Sequence, residues 1–140
     1  MITTTTSAHD DRLVVDHVSG EEYEITVRGH RLRVDQPAGS GGTDLAPTPT
    51  ELFVGSLAAC VAFYAGRYLT RHGFDRDGLS VRAEFTMATD RPARVATIRV
   101  AAHPPAGFPA GRSAALTAVA SHCTVHNTLL HQPEITVSVT

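Results

Sequence analysis

Apolar and polar residues alternate over much of the first part of the chain. Three short runs, Leu13 to His17, Tyr23 to Val27 and Leu32 to Val34, carry mostly apolar side chains at every second position. Successive side chains of a strand point to opposite faces of a sheet, so a period of two predicts half-buried strands. The short intervals between the runs suit hairpin turns. The sequence therefore predicts a meander of three antiparallel strands.

The pattern changes at Thr48, where a long helix is predicted to begin. Thr48 can cap the helix, Pro49 suits its first position, and Glu51 can return a hydrogen bond to the cap, which together make a capping box. The chain is then uncharged from Leu52 to Gly66, and Gly73 supplies a stop signal. This uncharged stretch of 15 residues rises roughly 22 Å. A membrane span needs about 20 apolar residues, which is more than this stretch contains. We therefore expect a buried core helix and no membrane partner.

The remaining pattern predicts two strands over 81–87 and 95–102, a helix over 113–120 and a final strand over 135–139. The resulting order is β-β-β-α-β-β-α-β, with strands clustered apart from helices. This order is typical of the α+β class. We expect a single domain over residues 12–140, preceded by a flexible, polar N-terminal tail over residues 1–11.

Composition narrows the classes of function. The chain has 140 residues, a net charge of -2, 42% hydrophobic residues and 19% charged residues. Such a balance is not expected of a protein that binds nucleic acid through its charge. The N-terminus has no cationic segment followed by an apolar one, so no signal peptide is predicted and the cytoplasm is the expected location. Thiols in that compartment stay mostly reduced.

The two cysteines are the main candidates for chemistry. Cys60 lies in the middle of the predicted long helix, and Cys123 lies between His122 and a second histidine, His126. Cytoplasmic cysteines are more often free, metal-bound or catalytic than joined in a structural disulfide. The spacing of the histidines around Cys123 matches no standard zinc pattern, so no metal site is expected. The glycine-rich loop over 35–43 lacks the spacing of a phosphate-binding loop.

Several short segments together indicate a family. They are Asp35-Gln36-Pro37, Gly41-Gly42, Pro49-Thr50-Glu51-Leu52-Phe53, Leu57-Ala58-Ala59-Cys60 and Cys123-Thr124-Val125. With them, the chain resembles the OsmC/Ohr family of osmotically inducible and organic-hydroperoxide-resistance proteins over roughly residues 15–140. The resemblance implies an OsmC-like fold, an intertwined homodimer with active sites at the interface, Cys60 as the peroxidatic thiol and Cys123 as the resolving thiol.

The resemblance further implies a small organic hydroperoxide as substrate, a thiol or dithiol as reductant, and no cofactor. Members of the family support the first thiol with an arginine and with a glutamate ten residues before it. Here Thr50 stands ten residues before Cys60, and Glu51 stands nine before it. No arginine lies between Arg12 and Arg28, where the family's arginine is expected.

The chain offers candidate substitutes for both members of the family's supporting pair. Arg28, or else Arg31 or Arg33, can replace the missing cation, and Glu51 is a weaker candidate because a capping role explains its position. The alternative is a divergent branch with weaker thiol activity, such as a dimer that only binds a small molecule. A third interpretation, a thiol hydrolase that pairs Cys60 with a histidine base, has less support because no histidine is near Cys60 in sequence.

Overall fold

The computed structural model describes residues 11–140, and these divide into two compact units after Leu52. We call them the N-terminal unit and the C-terminal unit and describe each by itself. The predicted flexible tail over 1–11 lies outside the described residues, except for Asp11, which is exposed and belongs to no helix or strand. The expectation of a single domain over 12–140 stays a prediction.

The N-terminal unit is built on the predicted meander. Strands β1 (Val14–Ser19), β2 (Glu22–Val27) and β3 (His30–Val34) form an antiparallel sheet in the order β1-β2-β3. A two-residue turn, Arg28-Gly29, joins β2 to β3, and both of its residues have positive φ, 48° and 81°. Positive φ at both positions is the geometry that matches the twist of a tight hairpin. The three predicted strands are confirmed.

A buried carboxylate organises the glycine-rich loop after β3. Asp35 is 1% exposed and accepts backbone N–H bonds from Gln36 at 2.7 Å, Leu45 at 3.1 Å and Thr43 at 3.4 Å, with the Thr43 hydroxyl at 3.0 Å. These donors lower the pKa of Asp35, with the Leu45 and Gln36 N–H groups as the largest causes. Because the donors are already bonded to a carboxylate, the loop offers them to no phosphate.

Helix α1 (Pro49–Arg71) begins and ends as its sequence signals predict. The Thr48 amide donates to Glu51 Oε1 at 2.9 Å and the Glu51 amide donates to Thr48 Oγ1 at 3.1 Å, which is a reciprocal capping box. At the other end, Gly73 has φ of 76°, and the Phe74 amide donates to the Leu69 carbonyl at 2.8 Å. That pair of features is a Schellman stop. The predicted capping box and stop are both confirmed.

The C-terminal unit contains the apolar core. Strands β4 (Ser80–Met87) and β5 (Val95–His103) pair as an antiparallel hairpin, followed by helices α2 (Ser113–Ala120) and α3 (Thr124–Leu130). One stripe of α1 packs against this set, because residues spaced four apart share a helix face. The buried cluster consists of Leu57, Val61, Ala65, Tyr68, Leu116, Ala120 and Cys123.

Helix α1 is long and apolar enough, by length and composition alone, to cross a membrane. Within the C-terminal unit it instead packs as a core helix, since Leu57, Val61 and Ala65 are buried against α2. Its burial is one-sided: Phe53 and Phe63 remain 41% and 54% exposed. The expected central helix is therefore present, with one face covered by the described residues of its own chain.

The predicted final strand over 135–139 is wrong for this structure. In the described part of the chain, residues 132–140 form no helix or strand, and the alternating Ile135, Val137 and Val139 are 78%, 88% and 100% exposed. Alternation defines an apolar face, but a strand also needs a neighbouring strand to satisfy its backbone groups. The observed order ends instead with the short helix α3, and the class remains α+β.

Candidate functional site

The structure brings Cys60 and Cys123 together in the core of the C-terminal unit. Cys60 lies on α1 and packs against the buried cluster that contains Cys123, and both cysteines are free. The two side chains are close enough for Cys60 to influence the ionisation of Cys123. They differ in accessibility, because Cys60 is half-buried and Cys123 is fully buried. Residues 63 positions apart in sequence thus form one pair of thiols.

Cys123 sits at the start of helix α3 and caps it. Its sulfur accepts a hydrogen bond from the His126 amide at 3.3 Å, as a side chain at the N-cap position does. Burial is the main cause that raises the pKa of the Cys123 thiol, the His126 N–H opposes this, and the interaction with Cys60 raises the pKa further. The sequence left open whether Cys123 ends one helix or begins another, and the cap answers this question.

The predicted supporting residues lie in the N-terminal unit. Glu51 is held in the capping box, whose N–H donor lowers the pKa of its carboxyl group. The Arg33 guanidinium pairs with Glu22 and, at 2.9 Å, with Glu24. Two carboxylates therefore already compensate Arg33, and they raise its pKa.

Arg28 is exposed and occupies the tight turn between β2 and β3. A residue other than glycine rarely adopts its positive φ, and here the tight hairpin turn accounts for it. Among residues 11–140, no carboxylate lies within 4 Å of the Arg28 side chain. The assignment of Arg28 as the cation for Cys60 stays a prediction.

The histidines near Cys123 bond to backbone carbonyl groups. Nδ1 of His122 lies 2.5 Å from the Ala118 carbonyl, and Nδ1 of His126 lies 2.7 Å from the Ser121 carbonyl. Since a carbonyl only accepts, Nδ1 of each ring carries the hydrogen. Within the part of the chain that the structure describes, no three histidine, cysteine or acidic side chains gather as metal ligands.

A cavity of about 450 Å³ opens beside the core of the C-terminal unit. Leu57 and Val61 of α1, Val100 of β5 and Leu116 of α2 supply apolar walls. Polar groups come from Ser113, Thr117, Ser121 and His126. Because His126 Nδ1 is bonded to the Ser121 carbonyl, Nε2 is the other polar atom of this ring. Neither cysteine lines this cavity, so the C-terminal unit has a thiol pair and a separate apolar cavity.

Sequence reasoning missed two residues beside the thiols. Tyr64 lies one turn after Cys60 on α1, and its hydroxyl is 3.0 Å from the hydroxyl of Thr124, the residue after Cys123. The spacing of four between Cys60 and Tyr64 is a signal that could have placed them on one helix face. The position of Thr124 in space could not be read from spacing alone.

The protein is thus of the α+β class, and two free thiols meet in the core of its C-terminal unit. The family model described as OsmC-like protein matches residues 41–138. The chain therefore belongs to the OsmC-like family. No curated protein matches the sequence.

Solved structures share the fold. A protein of Psychrobacter arcticus 273-4, described as an osmotic stress induced and detoxification response protein, is 21% identical with a TM-score of 0.76, covering 83% of this chain and 85% of its own. An organic hydroperoxide resistance protein OsmC of Legionella pneumophila is 20% identical with a TM-score of 0.60, covering 84% and 88%. A Vibrio cholerae structure, named for organic hydroperoxide resistance and holding captopril in one active site, is 16% identical with a TM-score of 0.66, covering 93% and 92%. At these identities the likeness establishes the fold alone.

Proposed function

We propose that this protein is a cytoplasmic thiol-dependent peroxidase that reduces small organic hydroperoxides through Cys60 and Cys123. The observation that carries the proposal is the meeting of a half-buried thiol and a buried thiol in one apolar core. Membership of the OsmC-like family supports it, as does the shared fold with proteins named for organic hydroperoxide resistance. No cofactor is needed, because the two thiols supply both electrons.

In the proposed cycle, the Cys60 thiolate attacks the outer oxygen of the hydroperoxide, so an S–O bond forms and the O–O bond breaks. The departing alkoxide takes up a proton and leaves as the alcohol, while Cys60 becomes a sulfenic acid. Cys123 then loses its proton and attacks the sulfenic sulfur, forming the disulfide and releasing the hydroxyl group as water. An external thiol or dithiol supplies two electrons and two protons and restores both cysteines.

The exposure of the two cysteines supports this division of roles. A peroxidatic thiol has to meet a substrate from solution, and Cys60 is the thiol with accessible surface. A resolving thiol needs only to meet the first sulfur, and the fully buried Cys123 interacts with Cys60. Arg28 is the candidate cation that would favour the Cys60 thiolate, since a nearby positive charge stabilises the charged form.

Exposed apolar side chains support the homodimer that completes this proposal. Val15 and Leu32 on the N-terminal sheet are 57% and 46% exposed, Leu13 directly before β1 is 62% exposed, and Phe63 on α1 is 54% exposed. Apolar groups concentrated on one sheet and one helix commonly mark an interface between subunits. Sedimentation velocity over a range of protein concentrations tests this: a single species with the mass of one chain at all concentrations would contradict the homodimer.

The peroxidase proposal is tested by adding one equivalent of an organic hydroperoxide, or of hydrogen peroxide, to the fully reduced protein. Free thiol and intramolecular disulfide are followed over seconds to minutes in the wild type, Cys60→Ser and Cys123→Ser. We expect the wild type to lose both thiols and form the 60–123 disulfide, faster with the organic peroxide. Cys123→Ser should stop at the sulfenic acid, and Cys60→Ser should react slowly. Unreactive thiols in the wild type would overturn the proposal.

The cavity favours one alternative, a small-molecule-binding protein. Its apolar walls, together with the polar groups of Ser113, Thr117, Ser121 and His126, suit a small amphipathic ligand, such as a medium-chain alcohol. Calorimetric titration with 1-octanol tests this, using Val100→Trp to fill the cavity. Binding that survives Cys60→Ser and is lost in Val100→Trp, together with thiols that do not react with peroxide, would favour the alternative.

A further inference from the structure

A hydrogen bond between two side chains joins the same two segments as the thiol pair. The Tyr64 hydroxyl and the Thr124 hydroxyl are 3.0 Å apart and join residues that are 60 positions apart in sequence. Tyr64 follows Cys60 by one helical turn, and Thr124 follows Cys123 directly. The same two segments are therefore joined twice, once through the thiols and once through the hydroxyls.

The geometry of α1 makes the two links act on neighbouring points. Residues four apart lie on one face of a helix, about 6 Å apart along its axis. The Tyr64 ring is half-buried and packs against the core cluster that holds Cys123, so its hydroxyl is carried by an anchored side chain. Thr124 is the first residue of α3, the helix that the Cys123 sulfur caps. The hydroxyl link thus ties the start of α3 to α1.

We propose that Tyr64 and Thr124 are positioning residues for the thiol pair. Their hydrogen bond holds the start of α3 in place and keeps the Cys123 sulfur facing Cys60. Disulfide closure is then effectively a reaction at high local concentration, because the orientation of both sulfurs is set before the bond forms. The kinetic part of this inference rests on the proposed peroxidase cycle, whereas the effect on disulfide equilibrium does not depend on peroxide.

The expected effect follows from the strength of one hydrogen bond. A link of this kind changes an equilibrium by about fivefold when one partner is removed. Tyr64→Phe keeps the ring and its packing and removes only the hydroxyl. Thr124→Val keeps the branched shape and removes the same bond from the other side, and Thr124→Ser keeps a hydroxyl and should restore the wild-type behaviour.

The first measurement is the equilibrium between the Cys60–Cys123 disulfide and the dithiol in glutathione buffers. We expect Tyr64→Phe and Thr124→Val each to lower the effective molarity of the pair about fivefold, with little further loss in the double variant. The matched control is Thr97→Val, which removes another pair of bonded hydroxyls, Thr86 with Thr97, on the sheet of the same unit. This control should leave the equilibrium unchanged.

The second measurement separates the two steps of the peroxide reaction. Sulfenic acid formation at Cys60, trapped with dimedone, should stay within about twofold of the wild-type rate, and disulfide closure should slow about fivefold. A merely structural role would lower thermal stability without this split between steps.

Equilibrium constants of Tyr64→Phe and Thr124→Val that match the wild type would overturn the inference. An equal decrease of the equilibrium constant in Thr97→Val would also overturn it, because that would indicate a general loosening of the unit. If wild-type thiols do not react with peroxide, the proposed function fails while the glutathione measurement still decides the positioning role. Thr124→Ser keeps the test decisive if Thr124→Val folds poorly: a disulfide equilibrium constant that falls about fivefold in the serine variant as well would contradict the role of the hydroxyl.

Discussion

The N-terminal and C-terminal units are stabilised in different ways. Of the described residues of the N-terminal unit, only Val34 and Asp35 are buried, and the unit relies on strand ladders, ion pairs and the loop around Asp35. The C-terminal unit buries an apolar cluster that runs from α1 to α3 and includes Cys123. The thiol pair therefore lies in the unit that has the apolar core. The chain also leaves the N-terminal sheet with apolar side chains still to be covered.

The largest effect is expected from Leu69→Ala in the C-terminal unit. Leu69 is 0% exposed, and truncating a buried leucine costs about 3 kcal/mol of unfolding free energy because a cavity is left behind. Urea denaturation provides the measurement. A cost below about 1 kcal/mol would contradict the proposed difference between the two units, since it would mean that the core of the C-terminal unit is not tightly packed.

The matched control in the other unit is Leu32→Ala, at a side chain that is 46% exposed. At concentrations where the chain is monomeric, we expect it to cost less than about 1 kcal/mol. At concentrations that favour the proposed dimer the cost should rise, because a second copy would cover this sheet. A cost that is independent of concentration would contradict that covering.

The second largest effect is expected in the N-terminal unit, where the free energy of unfolding should depend on pH through Asp35. The pKa of Asp35 is lowered below its ordinary value of 3.8, so the folded unit binds this proton less readily than the unfolded chain. Its contribution to stability is therefore present above about pH 4 and is lost as pH falls through the lowered folded pKa. Asp35→Asn should be less stable than the wild type at pH 7, because the amide NH₂ would face N–H donors.

Urea denaturation at a series of pH values from about 7 to about 3 measures this dependence. The difference between the wild type and Asp35→Asn should narrow toward the acid end. Asp44→Asn, an exposed carboxylate of the same loop with φ of 55°, is the control and should change little. Parallel pH curves for the wild type and Asp35→Asn would contradict the role of the buried carboxylate.

The smallest effect on stability is expected from Arg28→Gly, in the tight turn between β2 and β3. Glycine adopts the positive φ of this turn without steric cost, so the variant should be more stable by up to about 1 kcal/mol. If Arg28 supplies the cation for Cys60, oxidation of Cys60 by peroxide should slow at the same time. Thermal unfolding and stopped-flow oxidation measure the two quantities, with Arg82→Gln, at an exposed arginine of β4, as control. An unchanged oxidation rate would remove Arg28 as the candidate.

Local signals in the sequence predicted most of the fold. The capping box of Thr48 and Glu51 and the stop at Gly73 rest on contacts between near neighbours, and both are present. The α2 helix was predicted over 113–120, the range that the structure gives. Such features depend on short-range hydrogen bonds and side-chain periodicity, which a sequence displays directly.

Features that depend on distant partners were harder to predict. The prediction of a final strand was wrong because alternation at Ile135 and Val137 specifies an apolar face without specifying a neighbouring strand. The pairing of Cys60 with Cys123 was implied by family resemblance, and no spacing argument gave it. Tyr64 and Thr124 were missed because their contact depends on how α3 packs against α1, which neither residue reveals alone.

The exposed C-terminal segment has a consequence for handling the protein. Ile135-Thr136-Val137-Ser138-Val139-Thr140 carries no charged side chain, contains no proline and is rich in β-branched side chains. Six-residue stretches of this kind stack readily into fibrils of identical copies, with interdigitated side chains between sheets. We therefore expect partly unfolded or concentrated chains to form fibrils through this segment. The charge of Glu134, directly before it, should oppose this stacking.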